Sequence, residues 1–490
     1  MKSFLFLPLL LSNSLSAQLQ SDSHWFYDDT DHRGEPFAML ASDTHLYVGG
    51  LLINAGGIVN EENLTRYNFA TESWEEVPGL NNGVGGRVDD IFSDSEGFFY
   101  FGGNFALPAN TDAQHVVRFD PNTETWEALF DPSSNLANPD WDNGPSDGRV
   151  LAIARSGDII FIGGEFTDGD NPPEENFILQ YRLGSEGVSN GVWESVGEGT
   201  EARVDDLLVL PNGDLIAATR TDDGLRRWDG STWTTFGGGV DNFSGGNGVV
   251  RTMVLHPDGR LFIGGNFTAV GSTNLPVRGV AAYNPATDTW DDLAGGFGPD
   301  IVQDNGTTFM ADGVFDIEVD SEGRVYVGGD IQSSVAGPFS DASKVAFWND
   351  TGMWNSMGSG FGSSGSQIVN CLEVDANDRV YAGGLISRGW EFRSGDTDVA
   401  WWDADEELSV IPSSAESPVL RIEDGMIVMY ARRGEESQFR VREGDTLPLS
   451  ASDNRYGPFG YPAAGGITRR ELTDFEPDEP NLFFQIQFGL

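Results

Sequence analysis

The sequence predicts an all-β fold of short four-stranded antiparallel units arranged radially, and three observations predict it. A hydrophobic strand running into a glycine pair recurs along the chain, in "HLYVGGLL", "FYFGGNF", "IFIGGEF", "LFIGGNF", "RVYVGGDIQ" and "VYAGGLI". Each pair is preceded by an apolar run and a tight Gly- or Asn-bearing turn, as in "VFDIEVDSEGRVYVGG", which is a hairpin signature. Each is followed by a second hairpin whose first strand ends in an aromatic and then Asn or Asp.

Taken in order, the first residues of the pair slots are Gly49, Gly102, Gly163, Ala218, Gly264, Gly328 and Gly383, between 46 and 64 residues apart. The fourth slot, Ala218-Thr219, is a degenerate copy. The second hairpins carry Tyr67-Asn68, Phe119-Asp120, Trp228-Asp229, Tyr283-Asn284, Trp348-Asn349 and Trp402-Asp403, and a Trp commonly follows, at Trp74, Trp126, Trp193, Trp233, Trp290 and Trp354. Each unit is thus two hairpins, a sheet too small to bury both faces alone. Neighbouring units must stack, and four-stranded units stack radially.

The glycine pair after the second strand, followed by "YNFATESW", "FDPNTETW" or "YNPATDTW", resembles the repeat of kelch-type β-propellers over about residues 36 to 411. It is similar also to the repeats of secreted bacterial propellers and of fungal cortical polarity markers. The resemblance implies that each pair sits where one blade's second strand passes beneath its neighbour's aromatics, where only residues without side chains fit. It implies a fold and not an activity, since propellers host many functions.

Seven copies are clear, and "VLRIEDGMIVMYA" at 419–431 reads as an eighth without its glycines. The reading favours eight blades over seven, with "HWFYDD" near Trp25 supplying a last outer strand. It divides the chain into a signal peptide (1–17), a propeller (18–442) and a C-terminal β extension (443–490) whose "NLFFQIQFGL" is a strand expected to dock on the propeller.

A cationic start, the apolar "FLFLPLLL" and small residues at Ser14, Ser16 and Ala17 form a secretory signal peptide. No later stretch reaches the ~20 apolar residues of a membrane span. Cys371 is the only cysteine, so the exported chain has no internal disulfide and no lipid-attachment cysteine follows the leader. The net charge of −49 excludes nucleic acid and anionic membranes as partners, and suits salty water or a monomer that attracts cations.

Candidate site residues come from the innermost strands. Aligned on Val88, Val150, Val204, Val250, Val314 and Val369, the preceding residue is Arg87, Arg149 and Arg203 in three successive copies. Two positions after the valine stand Asp90, Asp206 and Asp316. This register predicts an arginine cluster near a carboxylate ring at one channel rim, able to hold an acidic sugar. The same groups could give a polysaccharide lyase or glycoside hydrolase its acid and base. Pairing of the same residues between blades is the competing reading.

No cofactor is required. "TDGDNPPEEN" crowds Asp168, Asp170, Asn171, Glu174 and Glu175 into one loop that could hold calcium, without the twelve-residue EF-hand pattern. The five histidines form no metal-ligand pair. Kelch-like copper oxidases need a Cys–Tyr crosslink and converging histidines. Cys371 instead fills the slot of Asp90, Asp206 and Asp316, as a buried small residue would. The sequence therefore predicts a secreted acidic propeller that binds a glycan or a surface protein, with a carbohydrate-active enzyme as the alternative.

Overall fold

The structure, a computed structural model, describes residues 25–402 apart from 28–32, 54–57, 59–61, 81–82, 108–113, 130–147, 167–176, 185–186, 243–245, 298–300, 303–307, 310–312, 332–343, 350–351, 358–360, 362–366 and 387–398, together with three later strands. The signal peptide and the candidate calcium residues Asp168, Asp170, Glu174 and Glu175 lie outside the described residues. No helix among the described residues is long and apolar enough to cross a membrane.

Within His24–Ala404 the described residues include seven four-stranded antiparallel sheets that succeed one another, six with their strands in sequence order and the seventh closed by an N-terminal strand. Their first strands are Arg33–Ala41, Gly85–Ser93, Arg149–Ser156, Val204–Val209, Val249–Leu255, Gly313–Val319 and Ile368–Val374. We number the sheets 1 to 7 by these strands. Each first strand touches the first strand of the next sheet, and that of sheet 7 touches that of sheet 1, so the sheets form a closed ring of propeller type. The N-terminal strand Trp25–Tyr27 pairs with Val399–Trp402 and completes sheet 7, joining the two ends of the ring in one sheet. A smaller sheet made of Val240–Asn242, Gly246–Asn247, Ala269–Val270 and Leu275–Pro276 stands beside sheet 5 in the chain order.

The second unit is described by itself. Val419–Glu423 and Met426–Arg432 form the expected hairpin, and its second strand also pairs with the tail strand Asn481–Ile486.

The glycine pair has two distinct causes. At the first glycine, an added Cβ meets the next sheet's inner strand: 2.8 Å from Val150 Cγ1 at Gly102, 2.5 Å from Val204 Cγ1 at Gly163, 2.6 Å from Val314 Cγ1 at Gly264. At the second, a Cβ meets its own sheet's backbone: 2.1 Å from the Arg87 carbonyl oxygen at Gly103, and 1.9 Å from that of Arg149 at Gly164. The neighbour over the pair is therefore a β-branched valine rather than an aromatic, which corrects the expectation from the repeat. Close approach of two strands to one strand excludes side chains at both positions.

The aromatics work further out. The indole N–H of Trp126 donates to Pro78 O, that of Trp193 to Leu129 O, Trp233 to Val196 O, Trp290 to Gly237 O and Trp354 to Leu293 O. Each acceptor lies just after the preceding sheet, so the repeated Trp is a peg from one sheet into the one before. Trp354 is buried, and its Nε1 reaches Leu293 O at 2.9 Å. Trp354→Phe leaves a buried carbonyl without its donor and removes ring volume, and is expected to cost about 2–3 kcal/mol by urea denaturation. Trp233→Phe, at a half-buried peg, is expected to cost about half as much.

Three inner hairpin turns share another device. Asp94, Asp320 and Asp375 each accept N–H groups two and four residues ahead and the hydroxyl of a tyrosine six ahead (Tyr100, Tyr326, Tyr381). These aspartates fold the turn and close it over the buried tyrosine.

Candidate ligand site in the axial cavity

A bulge places the site. In every inner strand the ladder skips one residue between the valine position and the position two further on, for example between Val88 and Asp90, Val204 and Asp206, or Val314 and Asp316. Sheet 1 does the same between Pro36 and Ala38. The skipped residues are Phe37, Asp89, Leu151, Asp205, Arg251, Phe315 and Asn370, one per sheet, and all seven line a cavity of about 590 Å3. Bulges re-aim a side chain out of the sheet, and here they aim seven at one axis. The volume falls in the ~300–1,000 Å3 range of small-molecule sites.

The predicted rim resolves into two levels. At the end where inner strands begin, arginines and acids interleave. Arg87 Nε is 2.5 Å from Asp89 Oδ1, and its guanidinium lies 3.4 Å over the Phe37 ring. Arg203 pairs with Asp205 at 2.7 Å and with Glu165 at 3.2 Å, while Arg149 reaches the same Glu165 oxygen at 3.2 Å. Arg220 takes Asp205 Oδ2 at 2.7 Å, and the Arg251 guanidinium lies 4.6 Å over Phe315. Arg87, Arg203 and Arg251 line the cavity; Arg149 stands outside its lining. Burial and the nearby Arg149 charge lower the Arg87 pKa, with Asp89 opposing them; burial raises that of Asp89 against the pull of Arg87, Arg149 and Arg203. The three predicted arginines are thus brought together.

The three predicted aspartates belong to the wall below. Asp90 Oδ2 accepts the Ile153 N–H at 2.7 Å, Asp206 Oδ2 that of Met253 at 2.5 Å, and Asp316 Oδ2 that of Leu372 at 2.7 Å. Asp206 and Asp316 also accept the N–H of the residue after them, and Thr252 Oγ1 donates to Asp316 Oδ1 at 3.2 Å. Each carboxyl therefore fastens one sheet to the next: 2 to 3, 4 to 5, and 6 to 7. Their partner slots hold the smaller Ala152, Thr252 and Cys371. Seven sheets cannot alternate perfectly, and at the 7-to-1 junction Glu373 Oε1 accepts the Ala41 N–H and Asn370 Nδ2 donates to Pro36 O.

Burial dominates the chemistry of these acids. It pushes Asp90 up to about 7, Asp316 to about 6 and Glu373 to about 8, and raises Asp206 and Glu318 well above the ordinary carboxylate range, with mutual repulsion adding to the rise. Near pH 5 these acids are therefore largely protonated, whereas at neutral pH Asp316 is mostly ionised and Asp90 about half so.

Other candidates are tied up structurally. His45 bonds Glu75 at 2.7 Å, His256 bonds the Gly323 carbonyl at 2.9 Å and His115 that of Gly103 at 3.3 Å. Cys371 is buried and its thiol pKa is raised by burial, as its slot in the repeat implied. Among the described residues no three Asp, Glu, His or Cys side chains are grouped to hold a metal ion. Of the six sequence-predicted residues, Arg87, Arg203, Asp90, Asp206 and Asp316 line the cavity and Arg149 does not, while the bulge residues between them were passed over.

No protein-family model and no curated protein matches this sequence. Among solved structures the chain is similar to the extracellular domain of a B. thetaiotaomicron hybrid two component system, with 13% identity and a TM-score of 0.46 over 88% of this chain and 48% of that one. It spans about half the length of that neighbour. It is similar also to a virginiamycin B lyase from Staphylococcus aureus, with 9% identity and a TM-score of 0.44 over 77% of this chain and 99% of the lyase.

Proposed function

We propose that this chain is an exported, acidic, seven-bladed β-propeller that binds an anionic glycan at the arginine-bearing mouth of its axial cavity. One observation carries the reading: in a chain of net charge −49, Arg87, Arg203 and Arg251 come from three separate sheets to line one cavity, with Arg149 beside them. An acidic body that gathers arginines at one concave point has made a local anion site, and bidentate guanidinium groups suit carboxylates. The leader-like N-terminus supports export. Binding is favoured over bond cleavage because Asp90, Asp206 and Asp316 spend their oxygens on backbone N–H groups of the ring itself, leaving no open acid–base pair among them.

Isothermal titration with an oligogalacturonate tests this. The wild-type chain is expected to bind it and to ignore neutral dextran. The triple variant Arg87→Ala, Arg203→Ala, Arg251→Ala is expected to lose at least ~tenfold in affinity, about 1.4 kcal/mol or more. Equal binding by the triple variant would place the ligand elsewhere.

A further inference from the structure

The mouth is chemically two-sided in a way that specifies more than an anion. The carboxyl of Asp89 is 3% exposed, and its Oδ1 is engaged by Arg87 while its buried Oδ2 has no hydrogen-bond partner. Asp205 occupies the same bulge position two sheets on, and there Arg203 holds Oδ1 and Arg220 holds Oδ2. Of two equivalent acids in the wall of one cavity, one has both oxygens engaged and the other leaves a buried oxygen without a donor. A buried carboxylate oxygen is rarely left without a donor. Resting on the glycan-binding reading above, we propose that the mouth selects a hydroxylated carboxylate, a hexuronate unit, whose carboxylate lies among Arg87, Arg203 and Arg251 while one of its hydroxyls donates to Asp89 Oδ2.

The competing donors fit less well. An ammonium group would be attracted by Asp89, but Arg87, Arg149 and Arg203 already act on that carboxyl and would repel a second cation. Sulfate offers acceptors alone and would meet the open oxygen with like charge. A hydroxyl brings a donor without charge, and the sugar ring's C–H edge can lie against the apolar rims of Phe37 and Phe315, whose faces already carry Arg87 and Arg251.

The test compares three small probes on the full chain by isothermal titration: D-galacturonate, cyclohexanecarboxylate (a carboxylate of similar size without hydroxyls) and neutral D-galactose. Galacturonate is expected to bind at least ~tenfold tighter than cyclohexanecarboxylate, the value of one hydrogen bond to a charged group. Asp89→Ala is expected to remove that preference, the two carboxylates then binding within about twofold of each other. Equal binding of the two carboxylates by wild type would overturn the hydroxyl assignment and leave the arginine mouth standing. Binding of neither, with no response to oligogalacturonate, would overturn the glycan reading itself. Should Asp89→Ala not fold, the wild-type comparison alone decides.

Discussion

Replacing Gly164 by alanine is expected to destabilise the ring by about 4 kcal/mol or more, among the largest effects of any single methyl group in this molecule. The added Cβ would stand 1.9 Å from the Arg149 carbonyl oxygen and 3.0 Å from its carbon. Neither atom can retreat without opening the ladder at the bulge that aims the cavity residues. Gly163→Ala is a milder case, because its Cβ meets the tips of Val204 and Leu207 at 2.5 and 3.2 Å, and overpacking of this kind costs about 1–3 kcal/mol. Gly157→Ala has open space around it and carries only the strain of its φ of 58°, about 1 kcal/mol. The order Gly164, Gly163, Gly157 in chemical denaturation checks the two-cause account of the pair. Comparable losses at Gly163 and Gly164 would contradict it. The chain contains its own version of this experiment: at Ala218-Thr219 the second strand of sheet 4 stops at Thr219, whereas in sheets 1 and 2 it continues past the pair.

The second large effect concerns the acids that fasten the sheets. Asp316→Ala leaves the N–H groups of Ile317 and Leu372 and the hydroxyl of Thr252 without their shared acceptor, and is expected to cost about 3 kcal/mol. These acids also reverse the usual pH dependence. Asp90 titrates near 3.8 when unfolded and at about 7 in the ring, so the folded state holds the proton more tightly. A raised acid pKa gives stability that is fully present below the unfolded value and is lost as pH climbs through the folded one. For Asp90 the window runs from about 4 to 7 and is worth ~4 kcal/mol at most; for Asp316 it runs from about 4 to 6. Acids lowered by hydrogen bonds, such as Asp229 at about 2, lose their contribution only under more acidic conditions. Stability is therefore expected to be higher at pH 5 than at pH 8, read from urea midpoints in the two buffers. A chain at least as stable at pH 8 would show that the shaft acids are ionised without penalty.

The fold was legible because its constraint repeats. A glycine pair that two strands approach recurs in six of the seven sheets described, so one physical requirement was written six times in the sequence. The Trp pegs were legible as positions and not as partners, since their acceptors are backbone carbonyls of a preceding sheet that any residue type supplies. The site was half legible. Arg87, Arg149 and Arg203 sit at a fixed offset from the valine and were found together. Asp90, Asp206 and Asp316 share an offset too, but a periodic acid that bonds a neighbour's N–H looks in sequence like one that faces a ligand. Asp89, Asp205 and Arg251 were missed because a bulge inverts the alternation of the strand. No residue pattern distinguishes a skipped position from a paired one. The tail strand's partner was illegible for another reason: alternation in "NLFFQIQFGL" fixes a strand but not the strand it pairs with.

The most direct measurement is a diffraction experiment on crystals of the full chain soaked with D-galacturonate. The account predicts difference density at the start of the inner strands, with the carboxylate among Arg87, Arg203 and Arg251 and a hydroxyl within hydrogen-bond reach of Asp89 Oδ2. Density for the sugar on the outer edges of the sheets, with the mouth unchanged, would contradict it.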